Sequence, residues 1–241
     1  MTRLFNGIVA FGSVLLLAVT LIGAGFAAVA IPDAATATLS RAFSGCDQPN
    51  TPFTADELAS MAIAGKHYTF DDNNREKLDA AIAEANAAEA DGRANALSRE
   101  NAARSLPADA ISHLDDVFRV ASVAKPALVI VAVLCIAGPA HVAVRISRRA
   151  LGRTLMAGGG LVLAAFFALG AWAAIDFDGL FAAFHSLFFQ AGTWTFPYDS
   201  LLITLYPTAF WMGMSGIWLA VTCIASIICI IVGRLLCSET E

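Results

Sequence analysis

The chain has 241 residues, of which 58% are hydrophobic and only 15% charged, a balance too apolar for an ordinary soluble domain. Its formal net charge is −5, with no basic stripe of the kind a nucleic-acid surface requires, so that partner class is excluded. The bilayer is the expected solvent.

Four stretches are long enough to cross a hydrocarbon core at roughly 20 residues per span. They are 5–31, 126–144, 155–175 and about 209–232, and none contains Asp, Glu, Lys or Arg. The first ends in small residues (Ala27, Ala28, Ala30) and is preceded by Arg3, as in a signal peptide. Its apolar run exceeds the roughly 7 to 15 residues of a signal h-region, so it reads as an uncleaved anchor. The fold class expected is all-α: a four-transmembrane-helix bundle, with a mostly helical extracytoplasmic domain between spans 1 and 2 and an interfacial aromatic segment between spans 3 and 4. In chain order the parts are 1–31 (N-terminus and span 1), 32–125 (outer domain), 126–175 (spans 2 and 3), 176–208 (outer interfacial segment) and 209–241 (span 4 and tail).

Charge sets the expected orientation. Arg145, Arg148, Arg149 and Arg153 crowd the loop between spans 2 and 3, and Arg3 and Arg234 flank spans 1 and 4. Cationic loops stay on the cytoplasmic side, so both termini are expected inside and residues 32–125 and 176–208 outside a cell membrane. Every Asp and Glu except Glu239 and Glu241 then lies outside.

Within the outer domain, Thr54 and Glu57 form a capping-box pattern that opens a helix running to about Ala64, with Gly65 as its stop. A second helix spans Asn74 to about Ala90, rich in Ala, Glu and Lys and closed by Asp91-Gly92. A third covers 98–105 and is broken by Pro107. After Asp109, the residues Ile111, Leu114, Val117, Phe118 and Ala121 recur at helical spacing and lead into span 2. Cys135, Cys223 and Cys229 sit in apolar spans and Cys237 on the tail, which leaves Cys46 as the only outer thiol and no intrachain disulfide there. Neither CxxC nor a zinc-ligand spacing occurs. No metal or cofactor is expected, although His113, His185 and nearby Asp residues are ligand types.

Of the four histidines, His141 suits an interfacial position beside Arg145, and His67 follows Lys66 in a loop as a surface residue. His113 and His185 differ, because each stands near acids at an expected outer boundary. On a helix His113 shares a face with Asp109 and Asp116, and Asp115 lies close; Asp176 and Asp178 precede His185 by about two turns. Such carboxylates can orient an imidazole and raise its basicity. A pair of helix-end polar residues with no further role fits the same pattern. Around His185 the segment 176–208 is too aromatic for a solvated tether. Phe181, Phe184, Phe188 and Trp194 suit an interfacial helix and turn, or the wall of a substrate groove.

The blocks Ser112-His113-Leu114-Asp115-Asp116-Val117, Asp176-Phe177-Asp178-Gly179-Leu180-Phe181, Phe184-His185-Ser186-Leu187-Phe188-Phe189, Trp194, Asp199-Ser200-Leu201-Leu202-Ile203 and Tyr206-Pro207 with Phe210 resemble the lipoprotein intramolecular transacylase (Lit) family. The resemblance covers the four-span layout and most of 105–215. It implies a membrane acyltransferase that moves the sn-2 acyl chain of a diacylglyceryl lipoprotein to the amine of its N-terminal cysteine, giving the lyso form. It also implies that His113 and His185 are the catalytic pair, with membrane lipid and lipoprotein as partners. Two other classes stay open on the residues alone. One is a membrane lipid or ester hydrolase, which would release free fatty acid; the other is a non-catalytic binding or assembly protein. A serine nucleophile at Ser112 or Ser186 lacks the G-x-S-x-G context.

The arginine distribution generates a direct topological expectation. A membrane-impermeant thiol reagent should label Cys46 in intact cells. If Cys46 reacts only after lysis, the orientation is reversed.

Overall fold

The computed structural model describes residues 2–48, 51–90 and 104–238. The helix expected over 98–105 falls for the most part outside them. Among the described residues the chain is helical, in the order α1 (Thr2–Ala30), α2 (Asp33–Phe43), α3 (Ala55–Phe70), α4 (Arg75–Ala90), α5 (Ala108–His141), a π turn (Val142–Ile146), α6 (Arg148–Ile175), α7 (Phe177–Ser186), α8 (Leu201–Leu205) and α9 (Thr208–Ser238). Four of these, α1, α5 with its π turn, α6 and α9, are long and apolar enough to cross a membrane. In α5 the charged residues end at Lys125, so its apolar part begins at Pro126.

The chain divides into two compact units. The first comprises Met1–Ala28, Ala124–Leu180 and Ile217–Glu241; the second comprises Val29–Val123 and Phe181–Gly216.

In the first unit the helices associate without the hydrophobic driving force that water provides, so close packing and interhelical hydrogen bonds must hold them. Gly152 and Gly233 supply the closest approach. A Cβ on Gly152 would stand 2.5 Å from the Gly233 carbonyl oxygen, and one on Gly233 the same distance from the Gly152 carbonyl. The Trp218 indole donates to the Ile22 carbonyl at 3.0 Å and meets Phe166 edge-on with centroids 5.4 Å apart. Leu17, Ala18, Leu21, Val162 and Phe166 fill the interior. Large apolar side chains such as Phe167 and Ile175 point outward, 81% and 86% exposed, as a lipid solvent demands. His141 packs edge-on against Phe5.

The second unit has a core of its own, built from Phe53, Leu58, Met61, Leu78, Ile82, Leu106, Ala110, Ile111, Leu114, Leu201, Leu202 and Leu205. Its α3 begins as its sequence dictates. Thr54 Oγ1 accepts from the Glu57 amide at 3.3 Å and Glu57 Oε2 accepts from the Thr54 amide at 2.8 Å, a complete capping box. The expected stop at Gly65 is corrected: α3 continues to Phe70. Gly65 lies inside the helix, at a point where a Cβ would collide with the Tyr206 hydroxyl, which donates to the Ala62 carbonyl at 2.6 Å. The helix ends instead near Asn73, at φ 50°.

His67 stands in the last turn of α3, not in a loop. Its ring pairs with Asp71 and, at 3.1 Å, with Asp33. Beside it the buried Lys66 pairs with Asp33 and donates to the Ile31 carbonyl at 2.8 Å, satisfying an oxygen just beyond the end of α1.

α2 and α8 were not anticipated. The turn after α2 is stitched to α8 by Gly45 N–H donating to the Thr204 carbonyl at 2.8 Å and Ser44 Oγ donating to the Leu205 carbonyl at 2.6 Å. α8 itself is capped by Ser200, whose hydroxyl accepts from the Ile203 amide at 3.3 Å. These bonds and the apolar core join the segment Phe181–Gly216 to Val29–Val123, and that union carries the site described below.

Gly65→Ala is expected to destabilise the protein by about 1 to 3 kcal/mol, the usual cost of forcing a methyl group into a packed interior. The pair Gly65→Ala, Tyr206→Phe should lose less than the sum of the two single changes, because the second removes the atom the methyl strikes. Thermal unfolding in detergent reads both.

Candidate active site

His113 lies one turn into α5, on the face that buries Ala110, Ile111 and Leu114, and is itself 8% exposed. His185 lies in the last turn of α7, half-buried. Both belong to the second unit. Their ring centroids are 6.1 Å apart with planes tilted by 30°, although about seventy residues separate them in sequence.

Aromatic rings surround the pair. Phe189 stands 4.9 Å from His113 and 5.7 Å from His185, centroid to centroid. Phe196 approaches His113 to 5.6 Å. Around His185 are Phe181 at 4.0 Å, Trp194 at 4.9 Å and Phe184 at 5.7 Å. Phe188 packs on Phe184 at 5.2 Å.

One hydrogen bond sets the chemistry of His185. Its Nδ1 lies 2.9 Å from the Phe181 carbonyl oxygen, one helical turn earlier. A carbonyl only accepts, so Nδ1 carries the proton, and in the neutral ring the lone pair is on Nε2. Burial pushes the imidazole below its usual 6.5, with the Phe181 carbonyl acting in the opposite direction. His185 is therefore a neutral base with a defined tautomer near pH 7.

The carboxylates that the sequence suggested as partners of the histidines make their hydrogen bonds and ion pairs with other groups. Asp115 accepts from the Tyr68 hydroxyl at 2.5 Å and from Asn73 Nδ2 at 3.2 Å. Burial and the neighbouring carboxylate push the Tyr68 phenol up to about 12, so it remains a donor. Asp116 pairs with Arg119 at 2.6 Å, and Asp109 accepts from the Ala110 amide at 2.9 Å. No hydrogen bond joins His113 to these acids among the described residues, and its buried Nδ1 has no partner there. Asp176 accepts from the Gly179 amide at 2.8 Å and Asp178 is exposed in the first turn of α7. The group that orients His185 is a backbone carbonyl.

Phe189 and Phe196 were not singled out from the sequence. Phe189 stands at i+4 from His185 and could have been found by helical spacing. Phe196 carries no local signal, since only the fold brings it to His113. Next to Phe189 a cleft of about 390 Å³ is lined by Asp116, Arg119, Val120, Phe188, Gln190 and Thr193. Among the described residues no three His, Cys, Asp or Glu side chains converge to hold a metal ion.

The chain is similar to known proteins in sequence and in fold. The family model "Lipoprotein intramolecular transacylase Lit" matches residues 90–211, half of the chain. Among solved structures, the membrane-integral lipoprotein intramolecular transacylase Lit from Bacillus cereus superposes with a TM-score of 0.71 at 17% identity, covering 98% of this chain and 97% of that one. The same protein with a histidine replaced by alanine gives a TM-score of 0.69 at 16% identity, covering 99% and 96%. At such identity these likenesses speak for the fold. No curated protein matches the sequence.

The lowered affinity of His185 for a proton has a definite sign. As pH falls below about 6.5 the unfolded chain takes up the proton first. The native state therefore loses stability from there down to the folded midpoint and keeps its full share above 6.5. Histidine-labelled protein followed by NMR should show an imidazole that titrates below 6.5 and vanishes in His185→Gln. A His185 midpoint at or above 6.5 contradicts the burial.

Proposed function

The chain belongs to the lipoprotein intramolecular transacylase (Lit) family of acyltransferases, and from that premise we propose that it moves the sn-2 acyl chain of a diacylglyceryl lipoprotein to the amine of the N-terminal cysteine, with His185 and His113 as the catalytic pair. The observation that carries the site assignment is the approach of the two imidazoles to 6.1 Å inside one aromatic wall, with His185 Nδ1 committed to a carbonyl and Nε2 left as the base.

The chemistry needs a base and an acid. An α-amine has a pKa near 8, and its attack on an ester carbon forms an N–C bond only productively if a proton leaves the nitrogen. His185 Nε2 takes that proton. When the C–O bond to glycerol breaks, the departing alkoxide receives a proton in return, through His113. The proton lost by the amine thus ends on the sn-2 oxygen, and ester becomes amide with no water consumed. Phe181, Phe184, Phe189 and Trp194 limit water around His185, which favours the tethered amine over hydrolysis. Phe188, with Phe189 in the lining of the cleft beside His113, offers apolar surface to an acyl chain. Asp115, fixed by Tyr68 and Asn73, holds the start of α5 and so the position of His113.

We place this site on the outer face of the membrane, with both termini and the Arg145–Arg153 loop cytoplasmic. The clustered arginines support that orientation, and the ester of a lipoprotein anchor lies at the outer headgroup plane.

His113→Ala and His185→Ala are each expected to cost about a hundredfold or more in transacylation rate. The double substitution should cost far less than the product, because the two act on one proton path. Mass spectrometry of lipoprotein N-termini reads the lyso form directly. Full conversion by either single variant removes that histidine from the mechanism, and free fatty acid in place of the lyso form would make the protein a hydrolase.

A further inference from the structure

Attack on an ester puts negative charge on the carbonyl oxygen, and two imidazoles already occupied with taking and returning a proton leave that charge without a dedicated donor. The rings of Phe181, Phe184, Phe189 and Phe196 can donate nothing. His185 Nδ1–H is spent on the Phe181 carbonyl.

One N–H in the wall is unassigned. Trp194 Nε1 is buried and has no hydrogen-bond partner among the described residues, as is also true of His113 Nδ1 in the same aromatic cluster. An indole N–H is a donor only. Leaving it buried and unpaired is costly, and such a group in a native structure calls for an explanation. The indole lies 4.9 Å from the His185 ring, centroid to centroid, with its plane tilted by only 33°. The indole is thus an immediate neighbour of the imidazole that would deprotonate the amine. The segment that carries Trp194 is turn, held by bonds such as Phe189 N–H to the His185 carbonyl at 2.9 Å and Thr193 N–H to the Gln190 carbonyl at 3.2 Å.

We propose that Trp194 is a catalytic residue, whose indole N–H donates to the carbonyl oxygen of the sn-2 ester and stabilises the oxyanion of the tetrahedral intermediate. This rests on the transacylase reading of the site. In the step, the amine nitrogen bonds to the ester carbon and the carbonyl π pair moves onto oxygen, where it accepts from Nε1–H. Nitrogen then yields its proton to His185. Collapse returns the pair to the carbonyl, breaks the C–O bond to glycerol, and the proton reaches the departing oxygen through His113. Nothing is oxidised or reduced.

The test separates the N–H from the ring. Trp194→Phe removes the donor and part of the volume. Replacing Trp194 by 3-benzothienylalanine, through an expanded code, exchanges N–H for sulfur and keeps the bicyclic shape. Both proteins, in detergent with a synthetic diacylglyceryl lipopeptide, are expected to show kcat reduced by roughly 100- to 1000-fold, the scale of losing one oxyanion donor. KM and the pH profile should be little changed, since the bond strengthens only in the transition state. A benzothienyl protein with the kcat of the unaltered protein overturns the proposal even where Trp194→Phe is slow, for the ring then acts by packing alone. That outcome, with His113→Ala and His185→Ala still inactive, leaves the transacylase reading standing. An unaltered protein that forms no lyso product sinks the reading and this proposal together.

Discussion

Burying an imidazole strips water from both of its nitrogens, and each nitrogen must then be given a partner or kept for a substrate. The second unit of this protein is organised around that constraint. His185 resolves it with the Phe181 carbonyl, one turn back on the same short helix, so the tautomer is set by local geometry. His113 leaves Nδ1 unresolved. Carboxylates would have served the same purpose at a price: an ionised partner in an aromatic wall is itself costly to desolvate. The acids near His113 are instead engaged with Tyr68, Asn73 and Arg119.

Placing two desolvated imidazoles side by side also demands a rigid frame. A neutral pair tolerates a 6.1 Å separation, whereas two cations at that distance in a poorly hydrated site repel each other. The frame comes from the core that Ala110, Ile111 and Leu114 of α5 share with Leu201, Leu202 and Leu205 of α8. The bonds from the Ser44 hydroxyl and the Gly45 amide to the α8 carbonyls add direction to that packing. The aromatic segment from Phe181 onward can then be mostly turn, because its far end is anchored at α8.

The membrane-spanning unit meets a different requirement. Lipid offers helices no reason to bury apolar surface against one another, so contact depends on close approach at Gly152 and Gly233 and on a hydrogen bond such as that from Trp218 to Ile22. The exposed Phe167 and Ile175 are in keeping with the same solvent.

What the sequence determined by itself is whatever depends on neighbours along the chain or on the solvent. The four spans follow from apolar runs long enough to satisfy their own backbone in lipid. The start of α3 follows from Thr54 and Glu57, three residues apart, and α4 from its Ala, Glu and Lys content. His113 and His185 stood out because each is set among acids at an expected boundary and within blocks that resemble a known family. The tertiary structure decided the rest, because the deciding contacts join residues far apart in the chain. Gly65 reads locally as a helix stop, yet it lies within α3 to admit the Tyr206 hydroxyl from 141 positions away. The acids beside His113 read as its partners, but helical spacing only makes a contact available, and Tyr68 and Asn73 compete successfully for Asp115. Phe196 reaches His113 and Trp194 stacks on His185 through the path of a turn segment with no periodicity to read. Proximity of that kind is a property of the packed core, and no local pattern encodes it.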